Sequence, residues 1–448
     1  MRYYRWELLL LLSLAFFFHQ ADRALFGILL KPIQADLVLT DEQMGLTGTV
    51  LFAVLAFLMP VAGIVGDRFN KKWIITCSIL FWSVSTMVTG WARNFWMLMT
   101  FRSVATAGGE SFYAPAAYPM LAAYHKTTRS IAFAVHQGAL YVGVMSSGFL
   151  AGWIAKNLGG WIALNGEAWL NAHCAWLGPE LCASLAYHFS GWRVAFAIYG
   201  LLGILLGLVF VFRLKGMPKD ETAEDLPKAQ TAPTEKPSFG RMLRFMLTTP
   251  TVLLLTVGFT AIVFVNNAYL IWAPAFLGDK FSLDLTMAGW NSMFYHHIAA
   301  FAGILTGGMV TDLFVKRFVS FRILLQVFSL LLGAPAIFLV GWSGSLAMTC
   351  AAFAVFGLFR GLYETNTHAA MFDVVPPEIR SSAVAFMTFV AFLVGSTAPW
   401  ILGVFASHYG KAAGLSYGFQ FLGLVYLIGF FAVLSALLFT FKRDRITE

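Results

Sequence analysis

Gly63-Ile64-Val65-Gly66-Asp67-Arg68-Phe69-Asn70-Lys71-Lys72 closes one apolar run and opens the next. It returns later in the chain as Gly308-Met309-Val310-Thr311-Asp312-Leu313-Phe314-Val315-Lys316-Arg317. Glycine, aspartate and the basic pair recur at a single offset of 245 residues. A second echo sets Arg129-Ser130 against Arg380-Ser381. A chain that repeats itself once, with the repeat anchored between apolar runs, predicts two like-oriented helical bundles in a membrane.

Composition agrees with a membrane setting. Of the 448 residues, 59% are hydrophobic and 12% charged, with mean hydropathy +0.74; soluble domains carry about 25% charged residues. Apolar runs fall at 7–30, 43–66, 73–92, 95–119, 130–155, 192–213, 250–275, 286–311, 321–341, 345–372, 381–407 and 417–441. Each is long enough to cross a bilayer as a helix, so the fold expected is all-α and integral to the membrane, twelve transmembrane helices in two pseudo-symmetric six-helix bundles. If the N-terminus is cytoplasmic, 21 of the 30 Lys and Arg residues fall in cytoplasmic segments and six (Lys31, Arg93, Lys156, Arg193, Lys280, Lys411) outside. That bias places both termini in the cytoplasm; the compact loops suit a bacterial inner membrane. The net charge of +8 is thus a topology signal, and no basic stripe with stacking aromatics suggests a nucleic-acid partner.

The polar stretch 214–243, with Pro218, Asp220, Glu224, Pro227, Pro233 and Pro237, reads as a cytoplasmic linker. It divides the chain into 1–213, a linker 214–248, and 249–448. The other long connection, 156–191, is extracytoplasmic and holds Cys174 and Cys182, either a local disulfide or two thiols. Four cysteines in no metal spacing predict neither a metal nor another cofactor. The first apolar run is too long for a cleavable leader and carries charges. No metal run of the His-x-Glu-x-x-His type, phosphate-cradling loop or nucleophile elbow predicts an enzyme.

The charges that remain sit inside spans. Asp22 and Arg23 interrupt Phe16-Phe17-Phe18-His19-Gln20-Ala21-Asp22-Arg23-Ala24-Leu25-Phe26-Gly27. Such groups cost roughly 2.5–3.5 kcal/mol each on insertion scales, so they face protein or a wet cavity and serve as a self-neutralising pair or a functional site. In the fourth span Arg102 precedes Gly108-Gly109-Glu110, with Tyr113, Pro115 and Pro119 following. A buried carboxylate there can load and release a proton, and Arg102 can pair with another helix or take a substrate carboxylate bidentately. In the tenth span Arg360 and Glu364 share a helix face, with His368 on the same stripe and Thr365, Asn366 and Thr367 beside it. Setting Arg129 against Arg380 aligns Arg360 with Gly109 and Glu364 with Tyr113, so the polar layers of the fourth and tenth spans share one depth. Further candidates are His19; His136, Gln137 and Tyr141 in the fifth span; Asn266, Asn267, Tyr269 and Trp272 in the seventh; and Tyr295, His296 and His297 in the eighth. Each serves equally as a helix-packing hydrogen-bond partner.

The loop Gly63-x-x-x-Asp67-Arg68-x-x-Lys71-Lys72 resembles the signature loop of the major facilitator superfamily, and with its echo at Asp312 the likeness covers the whole chain. Asp22-Arg23 and the segment Phe101-Arg102-Ser103-Val104-Ala105-Thr106-Ala107-Gly108-Gly109-Glu110 are similar to two branches, the spinster-like transporters and the anion:cation symporters. The Arg102-to-Glu110 interval of eight is one longer than the branch pattern, which leaves open the face Arg102 presents. The fifth span lacks the Gly-Pro pair of drug:proton antiporters. The resemblance implies alternating-access transport of a small organic anion or sugar acid with a proton. Asp22 and Glu110 would then couple to the proton and Arg23, Arg102 or Arg360 would meet the substrate. It also implies a conformational gate at Gly63, Asp67, Arg68, Lys71, Lys72 and Asp312, with the Asp67 carboxylate docking on the amino end of the eleventh helix, where unpaired amides favour an anion. The alternatives are a spinster-like lysolipid transporter, a facilitator of sugars or other solutes, and a non-transporting sensor, whose attached soluble domain is not in evidence.

Overall fold

The computed structural model describes residues 3–218, 239–315 and 317–446, and the regular structure in them is helical throughout. Lys316 of the echoed basic pair and residues 219–238 of the expected linker lie outside the described residues, and so does the side chain of Ser130. Eleven helices among the described residues are long and apolar enough to span a membrane, from Tyr4–Ile28 to Lys411–Asp444. The remaining expected span, the fourth, is helical over 95–124 but broken into Phe95–Leu98, a π-helical Met99–Ala105, Thr106–Glu110 and Tyr113–Tyr124.

Local chemistry explains the ends. The second span, Asp41–Arg68, opens on a capping box in which Thr40 Oγ1 accepts from the Gln43 amide and Gln43 Oε1 accepts from the Thr40 amide. In the signature loop the helix stops at Arg68, and the next, Lys71–Thr89, begins at once because the Asn70 side chain accepts from the Lys72 amide at 3.0 Å. The motif is thus a two-residue corner between helices, with Asp67 and Arg68 exposed on it.

The 156–191 connection carries more structure than its reading as a loop anticipates. It forms a hairpin of Gly159–His173 and Pro179–Phe189, turned at Gly178 with φ +79°. Its exposed Trp161, Trp169 and Trp176 suit a membrane interface, where indole rings are favoured. Cys174 and Cys182 are separate thiols, with the Cys182 Sγ directed at the Cys174 carbonyl.

The described residues form two compact units. The first contains residues 3–218 together with Leu270–Phe294; the second contains 239–269 and 295–446. The division follows packing through the seventh span, Pro250–Phe281, and the eighth, Leu285–Phe314, rather than the linker. Within the first unit, Leu270–Phe294 clasps the earlier helices by close backbone approach, Gly148 meeting the Gly289 carbonyl, and by ion pairs Lys31–Asp279 and Lys156–Asp284. The Met287 amide and the Lys156 ammonium hold the Asp284 carboxyl below the usual carboxylate range. The first span lies on the fifth, Arg129–Trp153, so closely that a Cβ at Gly143 would strike the Phe17 carbonyl. In the second unit the tenth span, Leu346–Phe372, approaches the eighth in the same way, Gly357 facing the His296 carbonyl and Gly361 that of Ala300. With no hydrophobic force between helices in lipid, such small-residue contacts supply the attraction.

Gly143→Val should therefore force the first and fifth spans apart and cost about 1–3 kcal/mol. In detergent the thermal unfolding midpoint should fall by several degrees. Gly160→Val, where a Cβ meets nothing within 4 Å, should leave it nearly unchanged.

Candidate functional site

Asp22 and Arg23 are neighbours on the first span, so their side chains leave the helix about 100° apart and need different partners. The fourth span supplies both. Arg102 Nη1 donates to Asp22 Oδ2 at 3.1 Å and its Nη2 to the Asp22 carbonyl at 2.7 Å. Arg23 Nε donates to Glu110 Oε2 at 2.7 Å. Thr86 of the third span adds a hydroxyl to Asp22 Oδ2 at 3.0 Å. The result is a crossed set of four charges, two of each sign.

The interval of eight between Arg102 and Glu110 explains itself here. In a regular α-helix eight residues advance about 800°, which would leave the two side chains about 80° apart. The π-helical Met99–Ala105 absorbs one extra residue, so the effective advance is nearer seven residues, about 20° short of two turns. Both side chains therefore reach the first span. The extra residue is where the chain departs from the branch pattern, and the π turn accommodates it. Gly109 is needed next to Glu110 because a Cβ there would come within 2.9 Å of Trp82.

An aromatic and imidazole column adjoins these charges. His19 Nε2 stands 3.9 Å from Glu110 Oε2, closer company for Glu110 than for Asp22, and Gln20 bonds its Nδ1 at 3.0 Å. Tyr113 OH donates to the Leu12 carbonyl at 2.7 Å and lies 3.1 Å from His136 Nε2. With its one proton given to Leu12, Tyr113 accepts from His136, so His136 Nδ1 is the bare nitrogen, and it has no partner among the described residues. Phe16 stacks on His136 at 4.4 Å. Gln137 Oε1 accepts from Tyr118 at 3.3 Å, and Tyr141 is buried. Asp22 Oδ1, Glu110 Oε1 and His19 Nε2 are buried without a hydrogen bond among the described residues.

The second unit has its own cluster. Arg360 Nη1 donates to His296 Nε2 at 3.1 Å, which fixes the proton on Nδ1, and Arg360 Nη2 lies 3.5 Å from Glu364 Oε2. Tyr269 covers His296 at 4.5 Å between ring centres, with Phe356 on it at 5.0 Å. Asn366 donates to Thr311 Oγ1 at 2.9 Å, and Asn267 is buried. Tyr295 and His368 lie exposed; His297 is buried beside His296. Trp272 belongs to the first unit, buried. Asp67, Arg68 and Asp312 are exposed and Gly63, Lys71 and Lys72 half-buried. Asp67 and Asp312 make no ion pair among the described residues. Thr86 had no sequence signal, since a lone threonine in an apolar span has none. Tyr363 and Tyr426, fully buried in the second unit, were likewise indistinct among the many aromatics.

Residues 12–325 and 277–447 match the sequence profile described as Major Facilitator Superfamily. The hexuronate transporter of Bacillus subtilis (strain 168) is 27% identical over 423 residues, covering 91% of this chain and 89% of that protein. Protein spinster homolog 1 of Xenopus laevis is 25% identical over 436 residues, 91% of this chain and 74% of that one. In fold, the chain is similar to the crystal structure of a bacterial homolog to the human lysosomal transporter Spinster in an inward-facing, unoccupied conformation. The TM-score is 0.82, with 22% identity over 99% of both chains.

Removing one member of a buried pair strands the other. Asp22→Asn should destabilise the protein by about 3–5 kcal/mol, because Arg102 is left charged and sealed from water. Asp22→Asn with Arg102→Gln should recover more than half of that loss. A midpoint in the single variant within a degree of wild type would show that the pair is not what holds these helices.

Proposed function

The chain belongs to the Major Facilitator Superfamily and is a membrane transporter with that superfamily's fold, and from that premise we propose that it carries a small organic anion of the sugar-acid class together with a proton. The observation that carries this reading is the unequal exposure of one ion pair: the Arg23 side chain is 16% accessible while Glu110 is fully sealed. A substrate carboxylate can reach the guanidinium and compete for it, forming the bidentate pair that arginine favours. Glu110, left buried without its cation, must then be neutralised by a proton, since an isolated carboxylate is too costly to keep there. Release of substrate returns Arg23 to Glu110 and expels the proton. Substrate and proton thus travel in the same direction.

Arg102 has a different part. It is fully buried and bonded to the first span, which suits it to hold Asp22 and orient the helix. Arg360, Glu364, His136, Gln137, Tyr141, Asn267, Tyr295 and Asn366 are the further side chains we assign to substrate. The bundles 1–213 and 249–448 would alternate about it, both termini cytoplasmic in a bacterial inner membrane, with the Asp67 loop as gate. The hexuronate transporter among its relatives supports the sugar-acid class. A second reading, a spinster-like lysolipid transporter, has in its favour an apolar cleft of about 480 Å³ lined by Leu58, Val65, Phe81, Gly109 and Phe112.

Proteoliposomes with an imposed proton gradient separate the two: uptake of hexuronate is expected, and uptake of lysolipid alone would favour the second. Glu110→Gln should abolish gradient-driven accumulation yet leave substrate exchange; loss of both, or of neither, counts against its coupling role. Asp67→Asn should slow transport severalfold while substrate affinity in detergent stays within about twofold, and a larger affinity change would refute the gate.

A further inference from the structure

The second unit holds a cleft of about 430 Å³ where the ends of the ninth, tenth and eleventh spans meet the C-terminal segment. Arg322, Phe372, Asp373, Arg380, Arg445 and Ile446 bound it. Three guanidinium groups against one carboxylate is an unusual lining for a protein with so few charges. Asp373 lies nine residues beyond Glu364 on the tenth helix and its C-cap, about 14 Å along the axis, so the cleft is separate from the Arg360 cluster.

The lining is built rather than incidental. Arg322 Nη1 holds both Asp373 oxygens, at 2.7 and 3.0 Å, and its Nε and Nη2 make no hydrogen bond among the described residues. Arg380 Nη2 donates to the Phe372 carbonyl at 3.2 Å, and its guanidinium lies 5.5 Å over the Phe372 ring. The Ile446 amide donates to the Asp373 carbonyl at 3.0 Å. That bond pins the C-terminal segment, so that Arg445, exposed and without an ion pair among the described residues, stands at the cleft. The carbonyls that end the tenth helix are thereby covered by donors. The eleventh helix, Arg380–Gly395, begins beside them with no side-chain cap on its first amides, which adds positive potential.

We propose that this cleft binds a phosphate-bearing anion, either a soluble phosphomonoester or the phosphate of an anionic lipid headgroup. Guanidinium groups reaching in from three separate segments match a tetrahedral oxyanion, whose acceptor oxygens point in several directions, better than a planar carboxylate, which one arginine satisfies. The volume suits a headgroup or a small ester. Occupancy would tie the ninth, tenth and eleventh spans to the C-terminal segment, so the ligand acts as a clamp on the second unit.

The test uses the full chain in a neutral detergent. Thermal unfolding midpoints are followed against phosphatidylglycerol in mixed micelles, phosphatidylcholine likewise, sn-glycerol 3-phosphate, and sodium chloride at matched ionic strength. A saturable rise of several degrees is expected with phosphatidylglycerol or with glycerol 3-phosphate, and not with phosphatidylcholine or chloride. A rise with the lipid alone assigns the headgroup; a rise with the soluble ester assigns a free phosphomonoester. Arg445→Gln should weaken the half-saturating concentration at least threefold, and Arg322→Gln with Arg445→Gln at least tenfold. Lys442→Gln, which removes the same charge outside the cleft, should bind as wild type. The proposal fails if neither phosphate compound gives a saturable rise, if Arg445→Gln binds unchanged, or if Lys442→Gln loses as much. Because Arg445 is exposed and bonds no side chain among the described residues, its variant keeps the test valid should Arg322→Gln not fold.

Discussion

Asp22, Arg102 and Glu110 are buried in the first unit with Arg23 half-buried beside them, and the joining of the first span to the fourth depends on how these four neutralise one another. Each alone would cost several kcal/mol to desolvate, more than a single helix contact returns. Neighbouring Asp22 and Arg23 cannot serve each other, because adjacent residues on a helix diverge. Their partners come instead from another helix, Arg102 for Asp22 and Glu110 for Arg23. The crossed arrangement binds the first span to the fourth through charge as well as packing, and makes each pair's strength depend on the other's geometry.

The two pairs differ in consequence. Arg102 donates to a carboxylate and to a backbone carbonyl on the same residue, so displacing it would break bonds to the helix itself. Arg23 makes one charge-assisted bond to Glu110 from a half-buried position. The Arg102 pair is therefore the more firmly held of the two. The π turn over Met99–Ala105 lets one helix serve both pairs, since without its extra residue Arg102 and Glu110 could not both face the first span.

The repeat at Asp67 and Asp312 and the twelve apolar runs made the fold legible, because hydrophobic length and internal echo are properties of the chain itself. Which charged residues meet in the candidate site was suggested for the same reason: an ionised side chain within an apolar run needs a partner or a cavity. What pairs with what was not. The eight-residue interval between Arg102 and Glu110 stood out as irregular, but a count of residues does not distinguish α from π winding. Thr86 and the Tyr113–His136 bond depend on which helices touch, and spans of near-uniform hydrophobicity carry little information about their neighbours. The helical hairpin after the fifth span was hidden differently, since a Trp-rich segment reads as interface whether or not it is helical.

The second unit neutralises its intramembrane charges differently. Arg360 and Glu364 are one turn apart on the same helix, a pairing worth only about 0.2–0.5 kcal/mol where exposed, and they sit 3.5 Å apart. Arg360 also donates to a neutral histidine, His296, which offers no countercharge. Each unit thus neutralises its arginines in its own way, the first with carboxylates from a second helix and the second with a carboxylate one turn away on the same helix and an imidazole from a neighbouring one.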